Sequence, residues 1–103
     1  MIGAGAVIAP LAVLGRGVII NTNASIEHHS IVEDFAHVSV GAIVGGRVRI
    51  GAEALIALGA SVVSDMTVGA RTIIGCGAVV VAAIPQDVVA FGVPARVRPS
   101  QKP

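Results

Sequence analysis

A six-residue period runs without a slip through most of this 103-residue chain, and few folds are compatible with it. Counted from Ile2 in steps of six, the positions are Ile2, Ile8, Leu14, Ile20, Ile26, Val32, Val38, Val44, Ile50, Ile56, Val62, Val68, Ile74 and Val80, every one a branched aliphatic. Four residues after each comes a mostly small residue, from Ala6, Ala12 and Val18 through Ala24, Ser30 and Ala36 to Ala78 and Ile84. A short repeat of this kind signals stacked coils, in which each unit buries its apolar side against its neighbours. One hexad is long enough for a short strand and a corner. Three make a triangular coil, so residues eighteen apart lie above one another. Fourteen hexads predict about five coils, a prism roughly 22 Å tall at the usual strand spacing. The corners need left-handed backbone angles, which glycine and asparagine adopt cheaply. Gly5, Gly17, Asn23, Gly41, Gly59 and Gly77 stand at the fourth hexad position, where such a corner falls. The reading is an all-β, single-stranded parallel β-helix over residues 1–85 with a short non-repeat C-terminal tail over 86–103.

Composition narrows the function. Apolar residues make up 54% of the chain but aromatics only 2%, so the core is built from Val, Ile, Leu and Ala. Such side chains suit closely stacked strands. A net charge of +1 leaves no basic stripe for nucleic acid. The uncharged stretches fall short of the roughly 18 apolar residues of a membrane span, or are broken by Gly, Pro, Asn and Ser. No basic residues open the chain as they open a signal peptide. The single cysteine, Cys76, excludes an internal disulfide and fits a reducing cytoplasm.

The register places the few chemically active side chains. His28 and His29 are the third and fourth residues of their hexad, at a corner and outside the core. His37 is a sixth residue and faces outward in the column Ile19, His37, Leu55, Ile73. An outward apolar stripe interrupted by one histidine suits a subunit contact and predicts threefold association; a merely apolar surface is the alternative. His28 stacks on Gly46, one strand spacing away, and on Pro10 in the other direction. Leu58 and Cys76 share the column Ala4, Thr22, Val40, Leu58, Cys76. No histidine shares the column of Cys76, which argues against a nucleophilic role.

The hexads IGAGAV, IEHHSI, VSVGAI and IGAEAL resemble those of the left-handed β-helix acyltransferases. Residues 21–46, NTNASIEHHSIVEDFAHVSVGAIVGG, look like the catalytic segment of bacterial nucleotide-amino-sugar N-acetyltransferases and the related sialic acid O-acetyltransferases. Residues 91–98, FGVPARVR, resemble the segment with which these enzymes leave the helix near the CoA nucleotide. The resemblance implies the left-handed sense, which general crossover rules do not supply. It also implies acetyl-CoA as co-substrate with no metal, a homotrimer with active sites at subunit interfaces, and a sugar or nucleotide-sugar acceptor acetylated on an amino or hydroxyl group. Within it, His28 corresponds to the general base and the Gly46 backbone N–H to the donor for the thioester carbonyl. His37, Leu58 and Cys76 correspond to acetyl-CoA contacts.

That chemistry is reasonable for those residue types. Imidazole titrates near working pH, and a preorganised N–H stabilises an oxyanion. Gly46 also reads as one more turn glycine. His29 stands where relatives carry an acidic neighbour of the base, a role for which Glu27, Glu33 or Asp34 are the substitutes in this chain. Arg96, Arg98 and Lys102 are candidates for CoA phosphates or for a solvated basic tail. Family members usually carry an N-terminal α/β domain that binds the nucleotide sugar, whereas this chain begins directly in the repeat.

Three other readings compete. A β-helix carbonic anhydrase needs zinc-binding histidines separated by near multiples of eighteen, and here the spacings are one and nine. An ice-binding face needs a regular threonine array, and only Thr22, Thr67 and Thr72 occur. A catalytically incomplete trimerisation domain stays open beside the transferase.

Overall fold

The computed structural model describes residues 1–98. Two-residue strands recur every six residues from Val7–Ile8 to Val79–Val80, and Val89–Phe91 and Arg96–Arg98 follow them. They form three sheets, the three faces of a parallel β-solenoid of about five turns, with no helix among the described residues. Face one holds Val7–Ile8, Ser25–Ile26, Ile43–Val44, Ser61–Val62 and Val79–Val80. Face two holds Val13–Leu14, Ile31–Val32, Arg49–Ile50 and Thr67–Val68. Face three starts with Ile19–Ile20 and His37–Val38, continues through Leu55–Ile56 and Ile73–Ile74, and ends with the two late strands.

The register is eighteen residues, as in Val7 opposite Ser25 and His37 opposite Leu55. Each coil donates to the next through bonds such as Val7 N–H to Ala24 O at 2.9 Å and Ala9 N–H to Ile26 O at 2.9 Å. The large inward residues from Ile20 to Val80 are all buried, with alanines layered between them. Each such Ile or Val contributes about 1.5–3 kcal/mol by leaving water.

Every fourth hexad residue from Gly5 to Gly77 has a positive φ, between 55° and 72°. The pattern extends past the five glycines and one asparagine of the sequence reading to Leu11, His29, Phe35, Arg47, Glu53, Asp65 and Arg71. A left-handed conformation costs such residues about 1–2 kcal/mol each. The coil-to-coil ladder on both sides of each corner holds them there.

The period shortens once. Val68 pairs with Ile84 and Ile74 with Ala90, sixteen apart instead of eighteen. Ile84, counted in the sequence among the small positions, thereby becomes the inward residue beside Val68 and is buried. The chain then adds Val89–Phe91 to face three and turns back antiparallel through Arg96–Arg98. Val79 ties this end down, its N–H donating to Gly92 O at 3.1 Å and its carbonyl accepting from Ala95 N–H at 2.8 Å. No helix among the described residues is long and apolar enough to cross a membrane.

Candidate functional site

The corner between faces one and two carries His28 and His29, both exposed. His29 has φ 62°, and its left-handed backbone turns the two adjacent rings toward each other. Their Nδ1 atoms lie 3.1 Å apart, and the rings meet edge to face at 5.3 Å between centroids. One ring donates to the other, so each fixes its neighbour's tautomer. His28 reaches along the prism onto the next coil. A methyl group at Gly46 would sit 3.0 Å from His28 Nε2 and 3.1 Å from Cε1. Gly46 is not a positive-φ residue; Arg47 fills that place in its turn. The missing side chain at 46 therefore makes room for the imidazole and serves no backbone need.

The Gly46 backbone is engaged through both its N–H and its carbonyl. Its N–H donates to Ser64 Oγ at 3.1 Å, and its carbonyl accepts from Asp65 N–H at 2.9 Å. The turn differs from most others in the coil, which close with a bond across four residues, as from Ala42 N–H to Ser39 O. Here the buried Ser30 hydroxyl is inserted instead, donating to Gly45 O at 2.6 Å and accepting from Val48 N–H at 3.0 Å. Thr72 does the same at the shortened turn, with Pro85 O and Val88 N–H.

Above His29 in the same column stand Arg47 and Asp65, joined at 2.6 Å and 3.1 Å. The Arg47 guanidinium holds the Asp65 carboxyl below its ordinary range, and the charge of His28 adds to the effect. Asp65 is thus the acidic group electrically coupled to His28. Of the three acids expected from the sequence, Asp34 binds Arg16, and Glu33 binds Arg49 at 2.6 Å. The Arg16 backbone N–H, more than its side chain, holds Asp34 low. Glu27 has no ion pair among the described residues.

The expected cofactor contacts lie elsewhere on the prism. His37 is half-buried on face three between Ile19 and Leu55. Asn21 accepts the Thr22 N–H through Oδ1 at 2.7 Å, so its Nδ2 donates to His37 Nε2 at 3.3 Å. Leu58 and the free thiol of Cys76 are exposed on the corner between faces three and one. That edge is smooth, with Gly5, Asn23, Gly41, Gly59 and Gly77 at its five left-handed positions. A Cβ added at Gly41, Gly59 or Gly77 would meet nothing within 4 Å.

The tail folds against the upper end of this edge, with Phe91 packed over Gly75. Arg96 is exposed there, whereas Arg98 is half-buried, its guanidinium 4.7 Å from the Phe91 ring centre. Lys102 lies outside the described residues. The molecule therefore brings His28, His29 and Gly46 together at one corner and Leu58 and Cys76 together at another, with His37 on the face beside the second. Among the described residues no three His, Cys, Asp or Glu side chains are grouped to hold a metal ion.

Sequence reasoning missed Ser64, Ser30, Asp65 and Asn21. Adding eighteen to 46 gives Ser64, and an inward hydroxyl among Ala12, Val48 and Met66 of its column marks Ser30. Those two signals were present in the register.

No protein-family model matches the chain. Solved structures do. The acetyltransferase domain of PglB from Neisseria gonorrhoeae is 34% identical with a TM-score of 0.78, over 94% of this chain and 53% of that one. A variant of GDP-perosamine N-acetyltransferase from Caulobacter crescentus, solved with CoA and GDP-perosamine, is 31% identical with a TM-score of 0.85, over 97% and 58%. Serine acetyltransferase from Neisseria gonorrhoeae is 26% identical with a TM-score of 0.88, over 96% and 42%. The chain thus spans about half the length of the structures it matches.

Proposed function

As the chain belongs to the hexapeptide-repeat β-helix acetyltransferases, we propose that it transfers acetyl from acetyl-CoA to an amino group on a nucleotide-linked sugar. The observation that carries the reading is the smooth edge. Leu11, Phe35, Arg47 and Arg71 adopt the same left-handed backbone at the other corners, so that conformation does not demand glycine. Nothing within the protomer crowds Gly41, Gly59 or Gly77 either. What the bare edge suits is something slender lying along the axis, and an extended pantetheine arm meets that description. It would pass Leu58 and Cys76 in turn and place the CoA phosphates toward Arg96. PglB's domain has also been solved with acetyl coenzyme A, and the perosamine enzyme with CoA.

The base and this edge occupy different corners of one protomer, and a homotrimer reconciles them. Burying the stripe of Ile19, His37, Leu55 and Ile73 against a neighbour sets the first corner of one subunit beside the third face of the next. Sedimentation equilibrium gives a trimer on this reading, and a stable monomer contradicts it.

For His28 to act as base, its Nδ1–H donates to His29 Nδ1 and its Nε2, over Gly46, keeps the lone pair. His29 then does the orienting work of a carboxylate. A sugar amine is favoured over serine because the perosamine enzyme, solved with GDP-perosamine, is 31% identical, against 24–30% for the serine acetyltransferases. Release of CoA thiol from acetyl-CoA, followed in parallel with GDP-perosamine and with serine, tests both points. Turnover with the amino sugar that His28→Ala abolishes supports the reading. Turnover with serine alone, or near-wild-type kcat in His28→Ala, contradicts it.

A further inference from the structure

The Gly46 amide does not face solvent. Gly46 is buried and its N–H is already given to Ser64 Oγ, whereas Ser64 itself is exposed. A carbonyl arriving from outside meets the hydroxyl first. Rotating the amide outward would disturb a turn pinned on every side: Gly45 O by Ser30, Val48 N–H by Ser30, Gly46 O by Asp65 N–H and Arg47 N–H by His28 O. A serine hydroxyl carries one donor and two acceptor positions. Ser64 spends an acceptor position on Gly46 and keeps its O–H, for which the described residues provide no acceptor. Accepting an N–H polarises that O–H and makes it a better donor. His28 reaches the same glycine from the coil below and Ser64 from the coil above, so base and donor flank one point.

We propose that Ser64 is a catalytic residue whose O–H, backed by the Gly46 amide, holds the acetyl oxygen as it gains charge. The inference rests on the acetyltransferase reading above and replaces a bare backbone donor with a two-membered relay. The acceptor nitrogen attacks the acetyl carbonyl carbon, forming the C–N bond, and the π pair moves onto the oxygen held by Ser64. His28 Nε2 takes the proton from that nitrogen. When the C=O bond re-forms, the C–S bond breaks and the sulfur leaves with the proton that His28 holds. The products are the amide and the free thiol of CoA, and no further reactant is needed.

The alternative, in which the hydroxyl only blocks the amide and must swing away, predicts the opposite result for its removal. Acetyl-CoA labelled at the acetyl carbonyl is bound to the wild type, Ser64→Ala, Ser64→Thr and His28→Ala, and the carbonyl stretch is read by difference infrared spectroscopy beside kcat. Ser64 and His28 are both exposed, so these substitutions leave the fold intact. The expected result is a stretch lowered in the wild type and in His28→Ala, returned to its solution position in Ser64→Ala, and lowered again in Ser64→Thr. kcat falls about a hundredfold in Ser64→Ala and recovers in Ser64→Thr. A Ser64→Ala enzyme that keeps the lowered stretch, or turns over as fast as wild type or faster, makes the amide the donor and overturns the inference while leaving the base intact. Acetyl-CoA bound by the wild type with an unshifted stretch overturns it too. A wild type that does not bind acetyl-CoA removes the transferase reading itself, and this inference with it.

Discussion

Two corners of the same prism share one backbone and differ in almost everything attached to it. Between faces one and two, the left-handed positions carry Leu11, His29, Arg47 and Asp65, with His29 bonded to the adjacent His28 and Arg47 paired with Asp65. Between faces three and one they carry Gly5, Asn23, Gly41, Gly59 and Gly77, so four of the five have no side chain. Since the repeat tolerates bulky residues at these angles, the difference reports what each corner meets from outside. One presents chemistry, and the other leaves room.

The sharpest way to break this division is to remove chemistry from the first corner alone. His28→Ala lowers kcat by about a hundredfold or more, and the Kd for CoA, measured by calorimetry, stays near the wild-type value. An equal loss of CoA affinity would merge the two corners into one site. Next in size is filling the bare edge. Gly59→Phe raises the Kd for CoA about tenfold, equivalent to about 1.4 kcal/mol. Glu53→Phe, at the same backbone angle on the corner between faces two and three, leaves it within about twofold. Equal effects from the two would show that only backbone strain was being measured.

Smaller again is the effect of the hydroxyl inserted in the Gly46 turn. Ser30→Ala removes two hydrogen bonds from a buried site and lowers stability by about 1–2 kcal/mol in thermal unfolding. The bare corner's turn, closed by Ala42 N–H to Ser39 O, has no such insertion to lose. Smallest is the acid response. Asp34 and Asp65 are both held below the ordinary carboxylate range by their arginines, so their contribution is present at neutral pH. It fades as pH drops below about 4 and through the lowered values. Asp34→Asn with Asp65→Asn should flatten that part of the Tm-against-pH curve, and an unchanged curve would leave these ion pairs without weight.

How much of this was legible depends on what sets each feature. The hexad count yields the three faces and the buried Ile and Val columns, because inward position and side-chain size are locked together by the coil. Corner angles were legible only where glycine or asparagine advertised them; at Phe35 or Arg71 the ladder imposes the angle and composition is silent. The two-residue shortening before Ile84 escaped the count because Ile84 is acceptable at either position. At the candidate site, the stacking of His28 on Gly46 follows from arithmetic alone. The tautomer-fixing His29 contact, the Ser30 insertion and the tie of Ser64 to the Gly46 amide depend on side-chain torsions that no period encodes.

In the proposed trimer the two corners work as a pair across a subunit boundary. Mixed oligomers of His28→Ala and Gly59→Phe, refolded together and assayed for acetyl transfer at acetyl-CoA below the Kd of Gly59→Phe, test it directly. With acetyl-CoA well below the wild-type Kd, His28→Ala alone is nearly inactive and Gly59→Phe keeps about a tenth of wild-type activity. Sites built across a boundary combine the intact histidine of one subunit with the intact edge of another, and a random mixture recovers about a quarter of wild-type activity. A mixture no more active than the average of its two parents would place both corners of each site in a single protomer and contradict the account.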